Sequence, residues 1–549
     1  VSQHSQDRRQ DRRHRRRSMA GAVRKRRVLV AAVAAGALVA GTGVGIGLWV
    51  SSDGDGAPSG STAAQSPTPS PSRSYPLSKA PRTIPAVREY TAERGPGWRP
   101  AREHRVVVAD PALADEGRLI ADELGLTYAG EKDDQRDGDL RLELNRGDGA
   151  GPESYTMTVR GGRVTVTAPA EAGVFYGTRT LKQEIAGAGA APEGVVRDEP
   201  AKERRGMMLD IARKHYSAGW IEDRIRELGD LKFNELGLHF SDDQGFRIES
   251  ESHPEIVSSE HLTKAQVERI VDLAASRHIT VVPEIDSPGH LGAVLAAHPD
   301  LQLRNANGGA VRGAIDISEP ESAEIVDDLL DEYDGLFPGG QWHLGGDEYQ
   351  ALVVSDPAAS FPQLAAAARE KYGSGATVED LTTGWLNDRA ATVRAHDRTP
   401  RAWNDGFFRG GSVRADEDIR VAYWTGKEIG ARQPAEYLRE GREVINYNDE
   451  FLYYVLGEPL TFVYPTGQRI YEQWTPLVLR GTTAVPERYD DQILGGSFAI
   501  WGDLPRSQTQ DQVAAGIRMP LRATVQKLWD PDDPELSWAE FRGLADDLG

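Results

Sequence analysis

The chain has 549 residues, with 84 acidic and 64 basic side chains and no cysteine. That length exceeds what one hydrophobic core supports, so at least two folded regions are expected; the missing cysteine excludes disulfides, a thiol nucleophile, cysteine-ligated zinc and a lipid anchor on cysteine. The net charge of −20 is uneven: residues 1–27 carry 11 Lys+Arg against 2 Asp, leaving an acidic body that repels phosphate backbones and argues against nucleic-acid partners.

In chain order, residues 1–27 read as a basic cytoplasmic head. The 23 uncharged residues Val28 to Val50 follow. At about 1.5 Å per residue they can span a bilayer, and positive charge on their N-terminal flank keeps that flank in the cytoplasm. A transmembrane anchor is the expectation and a cleaved signal segment the alternative. Either way the remainder is expected to be extracellular, at the cell surface or secreted. Met19 is an alternative start. Residues 51–103, rich in Ser, Pro and Thr over their first half, read as a linker.

Residues 104–198 have the pattern of a small α/β domain. Arg105–Val108 is a strand candidate, and Leu113–Leu124 has apolar residues at helical spacing. The runs at 155–159 and 164–167 alternate around Gly161-Gly162, a hairpin signal. Glu171–Ile185 then reads as a helix.

From residue 199 to 549 strand and helix patterns alternate, the signature of parallel α/β architecture. The predicted strands are Gly206–Ala212, Glu235–Phe240, Thr280–Asp286, Gln341–Glu348, Arg401–Gly406, Arg420–Gly426, Glu443–Tyr447 and Gly495–Trp501. Ser217 caps one intervening helix, and Thr263 with Gln266 forms a capping box before another. Eight strands suit a (β/α)8 TIM barrel. An open doubly wound sheet is the alternative, but no Gly-rich phosphate turn follows any strand.

Catalytic groups of such a barrel come from the C-terminal ends of its strands. Here those ends hold Asp210 and Arg213, Asp242 and Asp243, Glu284, Asp286 and His290, and then Asp347-Glu348; three later strands each deliver a tryptophan, Trp403, Trp424 and Trp501. Carboxylates opposite indoles describe a cleft for a ligand with both polar groups and apolar faces, which is how sugars present themselves. Asp347-Glu348 suits glycosidic cleavage, which needs an acid and a second carboxylate near the anomeric carbon. Neighbours on a strand point to opposite sides, so this pair need not have nucleophile–acid geometry. His343 and Asp347, four apart on a strand, do not have metal-ligand spacing, and no metal or organic cofactor is expected. His343 and His239 read as interior hydrogen-bonding residues, and Asp210 as a structural partner of Arg213.

The stretches RGMMLDIARKHY, HFSDDQGFRIES, VVPEIDSPGH, WHLGGDE, AWNDG and AIWGD together resemble the family 20 glycoside hydrolases, the β-N-acetylhexosaminidase family. The EAGVFYGTRTL segment resembles that family's small α/β domain. The resemblance implies substrate-assisted catalysis with retention, in which the sugar's 2-acetamido oxygen attacks C1. It implies that Glu348 is the acid/base with a raised pKa and that Asp347 orients the acetamide. It casts Arg213 as the residue holding O3 and O4, Asp242, Asp286 and His290 as the network around Glu348, and Trp403, Trp424 and Trp501 as indole walls. Tyr453 is the implied acetamide-binding hydroxyl and Asp503 a contact to outer hydroxyls. Where many exo-acting members place an Asp two residues after that Tyr, this chain has Val455. The NYN…LYYV pattern is closer to dispersin-like and lacto-N-biosidase-like enzymes, with Asp405, Glu472 and Trp474 as candidates to line the altered subsite.

The implied partner is an oligosaccharide or glycoconjugate carrying N-acetylhexosamine, with the membrane engaged through the N-terminal segment if that is uncleaved. Three activities follow: removal of terminal N-acetylhexosamine, release of a disaccharide or internal cleavage, and, from another class, sugar binding by an inactive hydrolase fold.

Overall fold

The computed structural model describes residues 74–132, 134–147, 151–427 and 431–549. The basic head and Val28–Val50 lie outside the described residues. Among the described residues no helix is long and apolar enough to cross a membrane.

The small domain is a seven-stranded sheet. Its strands are β1 (Glu89–Ala92), β2 (Arg105–Val108), β3 (Thr127–Glu131), β4 (Leu140–Leu144), β5 (Tyr155–Arg160), β6 (Arg163–Ala168) and β7 (Gly194–Asp198), in the order β1-β7-β5-β6-β4-β2-β3. β5 and β6 form the expected hairpin, with Arg160 opposite Arg163 and left-handed Gly161 and Gly162 at the turn. The helix Glu171–Ala188 covers the sheet, burying Val174, Phe175, Tyr176 and Leu181. β1 lies inside the stretch read as linker. It is a half-exposed four-residue edge strand, too short and too polar to announce itself by alternation.

The barrel strands are β8 (Arg204–Asp210), β9 (Glu235–Asp242), β11 (Thr280–Ile285), β14 (Gln341–His343), β15 (Thr399–Trp403), β16 (Arg420–Tyr423), β17 (Val444–Asn446) and β19 (Ile493–Trp501). Each pairs in parallel with the next, and β19 closes on β8, so the barrel expectation holds and the open sheet falls. Two short hairpins, β10 (Gly245–Phe246) against β9 and β12 (Gln302–Arg304) against β13 (Ala310–Ile315), decorate the loops.

Two departures from the expected strands shape the site. β14 stops at His343, five residues before the expected end, because Gly345 and Gly346 take φ of 66° and 97°. A Cβ on Gly345 would meet Asp286 Oδ1 at 1.8 Å, so only glycine fits where the chain crosses that carboxyl. The seventh strand is split. β17 pairs with the start of β19, and a further segment, β18 (Tyr453–Val455), pairs with its end, Tyr453 opposite Ala499 and Val455 opposite Trp501. The backbone ladder thereby delivers Tyr453 beside Trp501.

The two domains meet over buried charge. Arg205 donates two hydrogen bonds to Glu153 at 2.8 and 2.9 Å. Lys232 Nζ stands 3.3 Å from Asp198 and 4.4 Å from the centre of the Trp529 ring, whose Nε1 also donates to Asp198 at 2.9 Å.

Candidate active site

The barrel floor is polar and in register. Asp210, His239, Glu284, His343 and Arg401 face one another as paired residues on five successive strands. Glu284 is the hub. Its carboxylate lies 3.1 Å from His239 Nδ1 and 3.5 Å from His343 Nδ1, and its Oε1 accepts from Trp403 Nε1 at 2.8 Å. Burial works to raise the Glu284 carboxyl, but the charged His239 and the Trp403 hydrogen bond prevail and hold it down at about 2. His343 Nδ1 accepts from Gly345 N, so this imidazole serves the glycine turn; burial pushes it down to about 3 and keeps it neutral.

From Glu284 a chain of contacts climbs to the cleft. His239 Nε2 reaches Asp242 Oδ2 at 2.9 Å, and the same oxygen pairs with Arg213 Nη2 at 2.8 Å and faces His290 Nδ1 at 3.5 Å. His290 Nε2 then faces Glu348 Oε2 at 3.4 Å and Asp347 Oδ2 at 3.7 Å. Burial opposes charge on His290, yet the acidic groups around it raise its pKa well above the ordinary value, so it is an imidazolium. Asp243 secures this loop by accepting from Gly292 N at 3.0 Å.

The two neighbouring acids part company here, which the glycine turn makes feasible. Asp347 is largely enclosed, its side chain 13% exposed, with one carboxylate oxygen that no protein group hydrogen-bonds. Asp286 lies against it. Burial and the Asp347 carboxylate push Asp286 well up, so Asp286 carries the proton and Asp347 the charge, while Gly346 N donates to Asp286 at 2.9 Å. Glu348 has a φ of 48° and its side chain is 52% exposed, turned into the cleft. His290 is left-handed too, at 54°, so both partners of the Glu348–His290 contact hold strained backbone.

One expectation is corrected. The Glu348 carboxyl is lowered, not raised, because the His290 imidazolium faces it at 3.4 Å while it stands half in solvent.

Trp403, Trp424, Tyr453 and Trp501 line the opposite wall. Trp424 and Tyr453 stack with parallel rings 5.8 Å apart, and Trp501 stands 5.7 Å from Tyr453 and 5.9 Å from Trp403. Asp405 accepts from Trp424 Nε1 at 2.9 Å and from Glu348 N at 3.1 Å; burial and Asp347 push its carboxyl up to about 8. Arg213 lies over Trp501 and is clamped by Asp210, which also accepts from Gly502 N and so ties β8 to the end of β19. Asp503 is exposed within the electrostatic reach of Arg213.

The catalytic-domain model of glycosyl hydrolase family 20 matches residues 203–525, and the model of that family's domain 2 matches residues 80–199. The chain belongs to glycosyl hydrolase family 20. Among curated proteins it is similar to a lacto-N-biosidase of Bifidobacterium bifidum, 29% identical over 477 residues, covering 85% of this chain but 42% of the relative. A beta-hexosaminidase of Porphyromonas gingivalis is 31% identical over 225 residues, 36% of this chain and 29% of the relative. The chain thus spans less than half the length of these two relatives. Among solved structures, the family 20 beta-N-acetylhexosaminidase of Streptomyces coelicolor A3(2) is 25% identical with a TM-score of 0.67, over 86% of this chain and 96% of that one. A mutant beta-hexosaminidase of Streptomyces plicatus in complex with its product, GlcNAc, has the same identity and TM-score, over 87% and 95%.

Of the fourteen residues given a site role from sequence, eleven converge on the cleft, Asp405 among them, and Asp503 stands at its edge. Trp474 does not belong to it. It caps the helix Gly467–Gln473 and is fully buried in the large core that includes Val478, Leu479 and Ile470, away from the cluster of Trp403, Tyr453 and Trp501. Glu472 bonds Gln468 on the exposed side of that helix. Glu284, placed at a strand end by the sequence but given no role there, and His239, expected to be an interior hydrogen-bonding residue, both belong to the network beneath the cleft. The signal for both was a charged residue inside an otherwise apolar strand, Glu284 within VVPEI and His239 within LGLHF.

Asp286, His290 and Asp347 bring ligand atoms within 4.8 Å of one another. The proton between the two carboxyls and the charge on His290 make this trio a poor cation site, since ligands must be deprotonated.

Proposed function

We propose that this family 20 hydrolase is a retaining, substrate-assisted β-N-acetylhexosaminidase. The observation that carries the reading is the division between Asp347 and Glu348. A retaining enzyme with its own nucleophile needs two carboxyls flanking one bond at roughly 5–5.5 Å. Here one acid lies largely enclosed beside Asp286, and its neighbour stands in the open cleft against an imidazolium.

An acetamido sugar fits that division. Its N–H meets the Asp347 carboxylate, the Tyr453 hydroxyl holds the acetamide oxygen, and the methyl enters the Trp403–Trp424–Trp501 cage. The acetamide oxygen then attacks C1 while Glu348 protonates the departing oxygen. Asp347 balances the positive charge that develops on the cyclised amide, and Glu348 takes a proton from the water that reopens it. A sugar ring over Glu348 removes its solvent and raises its pKa, which supplies the protonated acid.

Removal of a terminal N-acetylhexosamine is the primary reading. Release of a disaccharide is favoured by two observations. Val455 is buried where an acid would hold outer hydroxyls, and a cavity of about 730 Å³ continues past Glu348 between Leu352, Phe408, Asp405 and Trp424. Similarity to a lacto-N-biosidase over most of this chain supports it.

Aryl glycosides separate these readings. Turnover of GlcNAc and GalNAc glycosides with none of glucosides supports the mechanism. Turnover of a lacto-N-biose glycoside alone selects disaccharide release. Equal cleavage of glucosides overturns substrate assistance. Export of the folded part, at the cell surface or secreted, is proposed on the residue pattern of Arg24 to Val50.

A further inference from the structure

A second group of metal-ligating side chains lies between the turn Pro254–Ile256 and the helix that follows His290. His253 and Glu255 belong to the turn Pro254–Ile256, and His298 caps the C-terminus of the helix Gly292–Ala297. His253 Nδ1 stands 3.0 Å from Glu255 Oε1, and His298 Nε2 stands 2.9 Å from the same oxygen. The two rings are 6.1 Å apart and nearly perpendicular, at 84°. All three donor atoms lie within 4.8 Å of one another. Ligands of a tetrahedral zinc ion, with bonds of about 2.0–2.1 Å, stand about 3.3 Å apart. The trio therefore needs only small adjustments to surround an ion.

An independent feature points the same way. The far nitrogen of His253, Nε2, faces Asp328 Oδ2 at 3.5 Å. A carboxylate placed behind an imidazole, one small shift from hydrogen-bond range, is the arrangement that accompanies histidine ligands of zinc. The three side chains are 16%, 43% and 29% exposed, so an ion from solvent reaches them and a water can complete the shell.

We propose that His253, Glu255 and His298 form a site for zinc or a similar divalent transition metal, with Asp328 supporting His253. Two imidazoles with one carboxylate suit such an ion better than the all-oxygen shells of calcium or magnesium. The site joins the turn after β10 to the helix after His290, whose first residue Asp243 already holds through Gly292 N. The ion fastens the outer face of the loop that carries His290 and takes no part in the reaction.

The test uses the full chain, freed of metal with a chelator and titrated with zinc chloride in a calorimeter, with melting followed in parallel. One equivalent is expected to bind and to raise Tm. His298→Ala and Glu255→Gln are each expected to abolish that equivalent, and Asp328→Asn to weaken it about 10–100-fold. His290→Ala is expected to retain it. Failure of the native chain to bind zinc, or full binding by Glu255→Gln, overturns the proposal, as does loss of binding in His290→Ala alone. Should His298→Ala not fold, Glu255→Gln, at a half-exposed carboxylate, decides.

Discussion

Charge is buried in two regions of this molecule, the junction between the domains and the mouth of the barrel, and the two treat it oppositely. At the junction Arg205 meets Glu153 and Lys232 meets Asp198. Burial alone would raise the Glu153 carboxyl, but Arg205 and its hydrogen bonds hold it down, and Lys232 is enclosed by Asp198, Tyr155 and Trp529. At the mouth like charges are crowded. Asp286, Asp347 and Asp405 all have raised carboxyls, with Asp347 acting on both neighbours. Paired buried charge orients two bodies, whereas crowded like charge stores protons and needs a positive ligand feature to relieve it.

The comparison breaks most sharply at Glu348. Glu348→Gln is expected to lower kcat about 10²–10⁴-fold, the contribution of a general acid/base, with Tm unchanged because the side chain is half in solvent. Unchanged turnover would remove Glu348 from catalysis and revive the reading of an inactive sugar-binding fold. At the junction the effect should be the reverse. Lys232→Ala leaves Asp198 buried without its cation and is expected to cost about 3–5 kcal/mol of stability, read as a lower denaturation midpoint. Its kcat, measured below the new midpoint, should be native.

A smaller effect is expected where the regions share a style. Glu284 is a paired charge like those of the junction, yet it positions His239 and Trp403 beneath the cleft. Glu284→Gln is expected to lower kcat about tenfold, or about 1.4 kcal/mol, with little change in KM. A drop in Tm with native kcat would reduce Glu284 to architecture.

The smallest effect is in pH. His343 is held neutral, with a folded pKa of about 3 against an ordinary 6.5. The unfolded chain therefore binds more protons than the folded one between these values, and stability falls as pH drops below 6.5. His239, raised in the fold, contributes fully below 6.5 and adds no slope there, and the lowered Glu284 acts only below its ordinary 4.5. The interval from pH 6.5 to 4.5 isolates His343 from these two. Asp286 and Asp405, raised in the fold, tilt stability the opposite way over this interval, so His343 is read as a difference: on lowering the pH from 6.5 to 4.5, the Tm of His343→Gln, which retains an acceptor for Gly345 N, should fall less or rise more than that of the native chain; equal slopes would discard the assignment.

Residue order alone determined much here. Eight strands with helices between them, the Gly161-Gly162 hairpin, the Thr263 capping box and the acids and indoles at strand ends were all legible, because periodicity, caps and turn glycines are local properties of a chain. Other features waited for tertiary structure. Trp474 and Trp501 are the same residue type, and only packing sends one into the core and the other to the cleft. Glu284 became a hub because strand register set it between His239 and His343, from positions 45 residues before it and 59 after it. Asp347 and Glu348 are adjacent in sequence, yet one is largely enclosed and the other open, since two left-handed glycines end the strand before them and Asp286 fills the space that a side chain at Gly345 would need. Composition and pattern select the elements. Which charges then meet, and so which protons are held, depends on distances that no local stretch of chain encodes.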